Sequence, residues 1–286
     1  MRHLILLAAL TATPLFAQHL VQVPRSDGHQ TPLMVYEPTA SATCAPLAVI
    51  SHGAGGSELG LSYLGHFLSQ HGFLAVVMGH AESGRRALLA DIASQHGTRP
   101  GIQYLVADPT AEGDRLLDVS AALTWANQSC KHPFRILLGH SMGAETVTLE
   151  AGARNQIGIP STLAGLDRFD AYVALSPQGP GSVYAEHAWA SIHKPILMLT
   201  GTLDESLNGG PSDRQVPWHE LPGQPSHCQW LGVIDGATHA NMGGNGPGHE
   251  KAEPYITSTI EAFLTGVHAN ACKLPLPQTG FTLQAK

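Results

Sequence analysis

The stretch Arg135-Ile136-Leu137-Leu138-Gly139-His140-Ser141-Met142-Gly143-Ala144 decides the fold of this chain. Its apolar run 136–138 predicts a short buried strand, and the residues after Gly143 suit a helix. A Gly-x-Ser-x-Gly pattern at such a junction holds the serine on a sharp, strained turn at the carboxyl end of a sheet. Gly139 and Gly143 are expected there because strand and helix pass too close for a Cβ atom. Ser141 is therefore the candidate nucleophile.

The bulk composition is that of a globular protein without a polyanionic partner. The chain has 286 residues, of which 43% are hydrophobic and 13% charged, which is enough for one large core. The formal net charge is −7, and no run of like charge indicates a tail or a membrane-surface patch. Because binding to nucleic acid requires a basic face, we expect no nucleic-acid partner.

The N-terminus has the pattern of a targeting segment. Arg2 and His3 precede an apolar run over 4–10, and small residues follow as far as Ala17. This order is typical of a secretory signal peptide cleaved after Ala17, and the apolar run is too short to span a bilayer. The sequence therefore predicts a signal peptide over 1–17 and one mature domain over 18–286. It also predicts a secreted or periplasmic location without stable membrane insertion.

Four cysteines fit an exported protein, and four cysteines allow three pairings. They are Cys44, Cys130, Cys228 and Cys272. Cys44 and Cys130 each come just before a predicted strand, so they lie at the same end of the sheet if those strands are parallel neighbours. We therefore expect a Cys44–Cys130 disulfide, with Cys228–Cys272 tying the C-terminal tail to the last strand. No CxxC pair is present, and we expect no metal at these residues.

Predicted strands alternate with predicted helices along the chain. The strands cover 19–24, 31–39, 46–51, 73–78, 135–139, 171–176, 195–201 and 228–234. The helices cover 57–72, 112–128, 144–151, 186–193 and 253–267, and 79–110 is expected to be a long loop with no more than one helix. This alternation predicts an α/β fold with a mostly parallel twisted sheet of about eight strands and helices on both faces. The connection between 176 and 195 is short, so no large cap domain is expected.

A serine hydroxyl becomes a nucleophile when a base takes its proton, and an acid must orient that base. Asp204 stands immediately beyond the predicted strand 195–201 and suits the acid. His239 lies between the last predicted strand and the last helix, where its loop can reach the serine. The chain has 17 histidines, so position rather than identity selects this one. Asp213 remains an alternative acid, and His249 an alternative base.

An oxyanion formed at the serine requires preorganised N–H donors. One is expected from the amide of Met142, and the other from the glycine-rich loop 52–56, with Ala54 as first choice and Gly55 as second. No Gly-Lys-Ser/Thr follows this loop, which excludes a nucleotide-binding role. His140, Gly55 and Gln178 are expected to contact substrate.

These residues together resemble the α/β-hydrolase superfamily over essentially the whole mature chain. The resemblance rests on the loop 52–56, the elbow 139–143, Asp204 and His239. Within the superfamily, Ser51–Gly56 and Ser176–Gly181 resemble the dienelactone-hydrolase-like branch, which includes relatives of platelet-activating-factor acetylhydrolase and cutinase-like polyester hydrolases. Dienelactone hydrolase itself carries cysteine at the elbow, whereas this chain has Ser141.

The resemblance implies a serine esterase that uses Ser141, Asp204 and His239 and forms an acyl-enzyme intermediate. No cofactor is expected, and the substrate is a small-molecule or polymeric ester. Two alternatives stay open at this point: a peptidase or amidase with the same residues, and a non-catalytic hydrolase-like binding protein.

Overall fold

A computed structural model describes residues 18–39 and 44–286 of the chain. The predicted signal peptide over 1–17 lies outside the described residues, so its cleavage stays a prediction. Among the helices of the two described ranges, none is long and apolar enough to cross a membrane.

The strands of the described residues form one sheet in the order β1-β2-β4-β3-β5-β6-β7-β8-β9. Their bounds are Gln18–Pro24 (β1), Gln30–Tyr36 (β2), Leu47–Ser51 (β3), Leu74–Met78 (β4), Arg135–His140 (β5), Ala171–Leu175 (β6), Ile196–Leu203 (β7), Gln229–Thr238 (β8) and Phe281–Ala285 (β9). The six strands from β4 to β8 pair in parallel, whereas β1, β2 and β9 add antiparallel pairs at the edges. The predicted mostly parallel α/β sheet is confirmed.

The sheet has nine strands rather than about eight, because β9 was not predicted. Its residues follow the proline-containing segment 273–280, and they pair with β8 at the edge of the sheet. Only alternate residues of β9 are partly buried, so the strand has no continuous apolar run. Its position depends on pairing with β8 rather than on a local sequence signal.

Helices cover both faces of the sheet. Their bounds are Ser62–Gln70 (α1), Arg85–Ser94 (α2), Thr98–Val106 (α3), Pro109–Ala126 (α4), Met142–Glu150 (α5), Val216–Glu220 (α6), His239–Met242 (α7) and His249–His268 (α8). Leu47 and Val49 of β3 belong to the core under α4 and α5, whereas Ala48 and Ile50 belong to the core under α1 and α8. This alternation is what a strand buried on both sides requires.

The secondary structure predicted for two segments is wrong. Segment 79–110 holds the helices α2 and α3 and a short 3₁₀ helix over Ala81–Ser83, not a loop with at most one helix. It lacked a helical pattern because α2 buries none of its residues and has no apolar stripe. The predicted helix at 186–193 is a series of turns instead. There the carbonyl of Ala188 accepts a hydrogen bond from the Arg154 amide rather than from the next turn of a helix.

Both predicted disulfides are present. Cys44 and Cys130 are bonded, with Cα atoms 5.9 Å apart, and they precede the neighbouring parallel strands β3 and β5. Cys228 and Cys272 are bonded with Cα atoms 5.1 Å apart. The second bridge fixes the chain after α8 to the start of β8. Each bridge closes a long loop, which restricts the unfolded chain.

Candidate active site

Ser141 lies on a strained turn between β5 and α5. Its backbone has φ 58° and ψ −121°, a conformation that a non-glycine residue rarely adopts. A Cβ on Gly139 would collide with the Gly143 carbonyl, and a Cβ on Gly143 would collide with the Ser51 carbonyl. The two glycines therefore allow the close crossing of strand and helix that presents the Ser141 hydroxyl at the carboxyl end of the sheet.

Two later strand ends bring an acid and a histidine to this serine. Asp204 directly follows β7, and His239 follows β8 as the first residue of α7. The Thr238 side chain accepts a hydrogen bond from the Asn241 amide and caps α7. This cap fixes the backbone position of His239, the first residue of the helix. His239 Nε2 lies 2.9 Å from Ser141 Oγ, and its Nδ1 lies 2.8 Å from Asp204 Oδ1. The structure thus joins the three predicted residues in one hydrogen-bonded chain.

The charge state of Asp204 decides which nitrogen of His239 carries the proton. The side chain is fully buried, which by itself would raise its pKa. The hydrogen bond with His239 and the charge of Arg214 outweigh burial and hold the pKa of Asp204 at about 2. An ionised carboxylate only accepts hydrogen bonds, so His239 Nδ1 carries the proton. His239 Nε2 is then free to accept the proton of Ser141.

The alternative acid and the alternative base have other partners. Asp213 Oδ2 accepts a hydrogen bond from the Ser206 hydroxyl at 2.9 Å. His249 Nδ1 lies 2.6 Å from Glu253 Oε1, one turn along α8. Neither side chain takes part in the chain that begins at Ser141, so the geometry favours Asp204 and His239.

Two backbone amides beside Ser141 are unpaired. Among the hydrogen bonds of residues 18–39 and 44–286, the amides of Ala54 and Met142 have no acceptor. The amide of Gly55, the second choice for this role, donates to the Ser83 carbonyl at 2.8 Å. Gly55 also does not line the cleft around Ser141, although its neighbours Ala54 and Gly56 do. Both expectations for Gly55 are therefore corrected: its φ of +74° shapes the loop, and its amide is already bonded.

His140 and Gln178 line the cleft but are held by other side chains or carbonyls. His140 Nε2 donates to the His239 carbonyl at 2.9 Å, and the two rings are 4.7 Å apart. Burial, and then the nearby His239, lower the pKa of His140 to about 3, so its ring is neutral. Gln178 Oε1 accepts a hydrogen bond from Arg214 at 2.7 Å. The structure thus ties His140 to the base, whereas Gln178 can still face substrate.

Arg214 is a charged neighbour of the site that the sequence did not predict. It lies in a short 3₁₀ helix over Pro211–Gln215 and is 2% exposed. Its Nε is 3.2 Å from Asp204 Oδ1, and its Nη2 donates to the Glu205 carbonyl at 2.8 Å. Nη2 also lies 3.1 Å from His239 Nδ1, but that nitrogen gives its own proton to Asp204, so this is a close approach of charge rather than a hydrogen bond.

The cleft above Ser141 has a volume of about 420 Å³. Its rim comes from α3 and from the residues after β7. Ile102, Val106 and Leu207 give it an apolar wall. Within the described ranges, the His, Cys, Asp and Glu side chains close enough to hold a metal are Cys44, Cys130 and His132, and both cysteines are consumed by their disulfide.

A second Ser-His-Asp arrangement lies next to the loop 52–56. His80 Nε2 is 2.9 Å from Ser51 Oγ, and His80 Nδ1 is 2.8 Å from Asp118 Oδ2. All three side chains are buried, and Ser51 also accepts a hydrogen bond from Arg115. Burial raises the pKa of Asp118 to about 7, the opposite of the shift at Asp204. Since the His80 amide donates to His52 Nε2, this second arrangement supports the loop 52–56.

The sheet order, the strained elbow and the acid and histidine after β7 and β8 define an α/β-hydrolase fold. No protein-family model and no curated protein matches the sequence. Solved structures do match, and the resemblance seen in the sequence is confirmed at the level of the fold.

In three of these structures, the match covers nearly the full length of the solved chain. A Klebsiella pneumoniae protein provisionally assigned as a dienelactone hydrolase is 17% identical with TM-score 0.64, covering 87% of this chain and 99% of its own. Dienelactone hydrolase from Anabaena variabilis is 16% identical with TM-score 0.60, covering 87% and 97%. Est1E from Butyrivibrio proteoclasticus is 15% identical with TM-score 0.55, covering 86% and 99%. At such low identity, the likeness concerns the fold.

Proposed function

We propose that this protein is an exported serine esterase that hydrolyses carboxylic esters. The observation that carries the proposal is the hydrogen-bonded chain from Ser141 through His239 to Asp204, with the unpaired amides of Ala54 and Met142 beside the serine. These are the nucleophile, base, acid and oxyanion donors that acyl transfer requires.

The reaction follows from these positions in two halves. In the first, Ser141 Oγ attacks the ester carbonyl while His239 Nε2 takes its proton, and the amides of Ala54 and Met142 stabilise the oxyanion. The alcohol leaves with the proton that His239 returns, and the acyl group stays on the serine. In the second, His239 takes a proton from water, the hydroxide attacks the acyl-enzyme, and the acid leaves as the proton returns to Ser141.

Two features support an exported protein. The pattern over 1–17 is typical of a signal peptide. The two disulfides Cys44–Cys130 and Cys228–Cys272 suit an oxidising compartment. We therefore propose a secreted or periplasmic location for the mature chain 18–286.

Ester rather than amide hydrolysis is favoured by the fold neighbours. Two of those named above are described as dienelactone hydrolases, whose substrate class is a cyclic ester. The serine at the elbow suits attack on an ester carbonyl, and the cleft of about 420 Å³ suits a small acyl or alcohol group. The same residues could cleave amides, so the two substrate classes need a direct comparison.

A fluorophosphonate label tests the proposal. We expect covalent labelling of the peptide that contains Ser141, and loss of labelling in Ser141→Ala. Ser51→Ala is the matched control, because Ser51 has a histidine and an acid in the same arrangement but is fully buried. A series of p-nitrophenyl esters should be hydrolysed faster than peptide anilides. Absence of labelling, or labelling that survives Ser141→Ala, would reject the proposal.

A further inference from the structure

A buried pair of carboxyl groups lies beside the cleft. Glu145 is in the first turn of α5, four residues after Ser141, and it lines the same cleft while only 2% exposed. Glu112 of α4 is adjacent to it and fully buried. Neither residue has a role in the reaction proposed above. Two acids buried together are unfavourable unless they are protonated or accept hydrogen bonds, so their surroundings need an explanation.

The oxygens of this pair lack donors. Apart from the carboxyl group of the other acid, Oε2 of Glu145 and both carboxyl oxygens of Glu112 have no hydrogen-bond partner in the part of the chain that the structure describes. The nearby guanidinium of Arg115 donates instead to the hydroxyls of Thr146 and Ser83 and to other groups under the loop 52–56. These three oxygens are buried, whereas Oε1 of Glu145 is not among the buried unpaired atoms and Glu145 lines the cleft, so Oε1 is the acceptor that a donor in the cleft would reach.

The pair shares a proton near neutral pH. Burial, and then repulsion by Glu112, raise the pKa of Glu145 well above its ordinary value, and burial raises the pKa of Glu112 to about 7. One carboxyl group can therefore donate to the other, and the pair then carries no more than one negative charge. An oxygen of Glu145 still remains for a ligand. It suits a neutral or a positively charged donor and disfavours an anion or an alkyl group.

We propose that the Glu112–Glu145 pair is a substrate subsite that accepts a hydrogen bond from a hydroxyl or ammonium group carried by the ester. The proposal rests on the proposed esterase function. A site that pairs a buried polar group with a substrate donor rejects an analogue without that donor far more strongly than an apolar pocket rejects an added group. The preferred substrates are then hydroxy or amino esters rather than plain alkyl esters.

Matched ester pairs test this subsite by pH-stat hydrolysis. Ethyl lactate against ethyl isobutyrate probes a hydroxyl on the acyl side, and glycol monobutyrate against propyl butyrate probes one on the alcohol side. Ethyl β-alaninate against ethyl butyrate probes an ammonium group. For each pair, the ratio of kcat/KM is compared between the wild-type protein and its Glu145 variants, so that differences in intrinsic ester reactivity cancel.

In Glu145→Met, which removes the acceptor, we expect the preference for the donor-bearing ester to fall by about tenfold or more, mainly through KM. Glu145→Gln keeps an acceptor but loses the charge, so it should retain a hydroxyl preference and lose an ammonium preference. Glu150→Gln is the matched control on α5, because Glu150 is buried but paired with Arg168 away from the cleft. It should leave every ratio within about twofold.

Labelling of Ser141 by a fluorophosphonate separates the two proposals. If wild-type protein is not labelled, the esterase function fails. If wild-type and Glu145→Met label equally well but no ester pair changes its ratio, the function stands and the subsite is wrong. If Glu145→Met does not fold, unchanged ratios for all three pairs in Glu145→Gln, including the ammonium pair, together with no preference of the wild type for a hydroxyl ester, overturn the subsite.

Discussion

The Nε atom of Arg214 lies 3.2 Å from Oδ1 of Asp204, the same oxygen that accepts the hydrogen bond from His239. Both Arg214 and Asp204 are almost wholly buried, and the guanidinium is fixed further by the Ser176 carbonyl and the Gln178 side chain. A carboxylate held between an imidazole and a guanidinium stays ionised and cannot rotate freely. Arg214 is therefore a positioning residue for the acid.

Replacing Arg214 by Met should reduce kcat/KM for a p-nitrophenyl ester by about 10- to 100-fold, since the acid loses one of the groups that orient it. It should also lower the free energy of unfolding by about 3 kcal/mol, because a buried carboxylate loses its cation. Arg214→Lys should recover part of the activity, as it keeps the charge without the planar fork. Steady-state kinetics and urea unfolding measure both effects.

Arg168→Met is the control for Arg214→Met, because Arg168 pairs with the buried Glu150 away from the cleft. It should cost stability but leave the kcat/KM of the folded protein unchanged. Equal losses of activity in both variants would show that Arg214 acts only through stability.

Asp204→Asn should lower kcat by about 10³- to 10⁴-fold while the fold is kept, because the amide favours the wrong tautomer of His239. Asp213→Asn should keep kcat within about threefold, since Asp213 bonds Ser206 instead of the imidazole. Kinetics of both variants, with circular dichroism to confirm folding, make the comparison. A large loss in Asp213→Asn alone would transfer the acid role to that residue.

The free energy of unfolding should fall as the pH drops from about 4 towards 2. The pKa of Asp204 is lowered from 3.8 to about 2, so the ionised carboxylate stabilises the folded state above about 4, and this contribution is lost as the pH falls through 2. The difference corresponds to about 2 kcal/mol. Urea unfolding at a series of pH values should show a shallower acid slope for Asp204→Asn than for wild type. Identical slopes would contradict the assignment.

The buried pair Glu112 and Glu145 should change the free energy of unfolding with pH in the opposite direction. The pKa of Glu112 is raised from 4.5 to about 7, so the protonated form stabilises the folded state at low pH, and that contribution is lost as the pH rises from about 4.5 through 7. The double variant Glu112→Gln/Glu145→Gln should flatten the fall in stability over this range. Asp118, with a pKa of about 7, keeps part of the slope. A slope unaffected by the double variant would mean that the pair is ionised in the folded state.

Reduction of the disulfides should destabilise the protein. The bridges join residues 86 and 44 positions apart, and opening such loops costs about 4 kcal/mol each, or roughly 15 °C in Tm for both together. Calorimetry with and without reductant, and of Cys44→Ser/Cys130→Ser, measures the shift. The same Tm with free thiols detected would contradict the expected stabilisation.

Local constraints explain which features could be predicted from the sequence. Gly139 and Gly143 lie where the strand and the helix cross too closely for any other residue. The elbow can therefore be predicted from the sequence alone. Asp204 and His239 were selected by their place after apolar strands, because parallel strands bring their carboxyl ends to one edge of the sheet. The Cys44–Cys130 pairing can be predicted for a similar reason, because the two cysteines precede parallel strands that are neighbours in the sheet.

Features that depend on tertiary packing could not be seen. Arg214 lies in an irregular segment, where no periodicity tells which side chain turns inward. Helix α2 has no buried stripe, and β9 depends on its pairing with β8. Glu145 reads as an ordinary helix residue, and only the packing of α4 against α5 places it next to Glu112.

The resemblance between Ser51–His80–Asp118 and Ser141–His239–Asp204 bears on automated searches for catalytic templates. Within the residues that the structure describes, a template built only from interatomic distances would match both arrangements. The side chains of Ser51, His80 and Asp118 are buried, so a substrate cannot reach them. The two arrangements differ in solvent access to the imidazole: the His239 side chain is 38% exposed and the His80 side chain 0%. Scoring accessibility together with geometry would separate a serine that a substrate can reach from one that is buried in the interior.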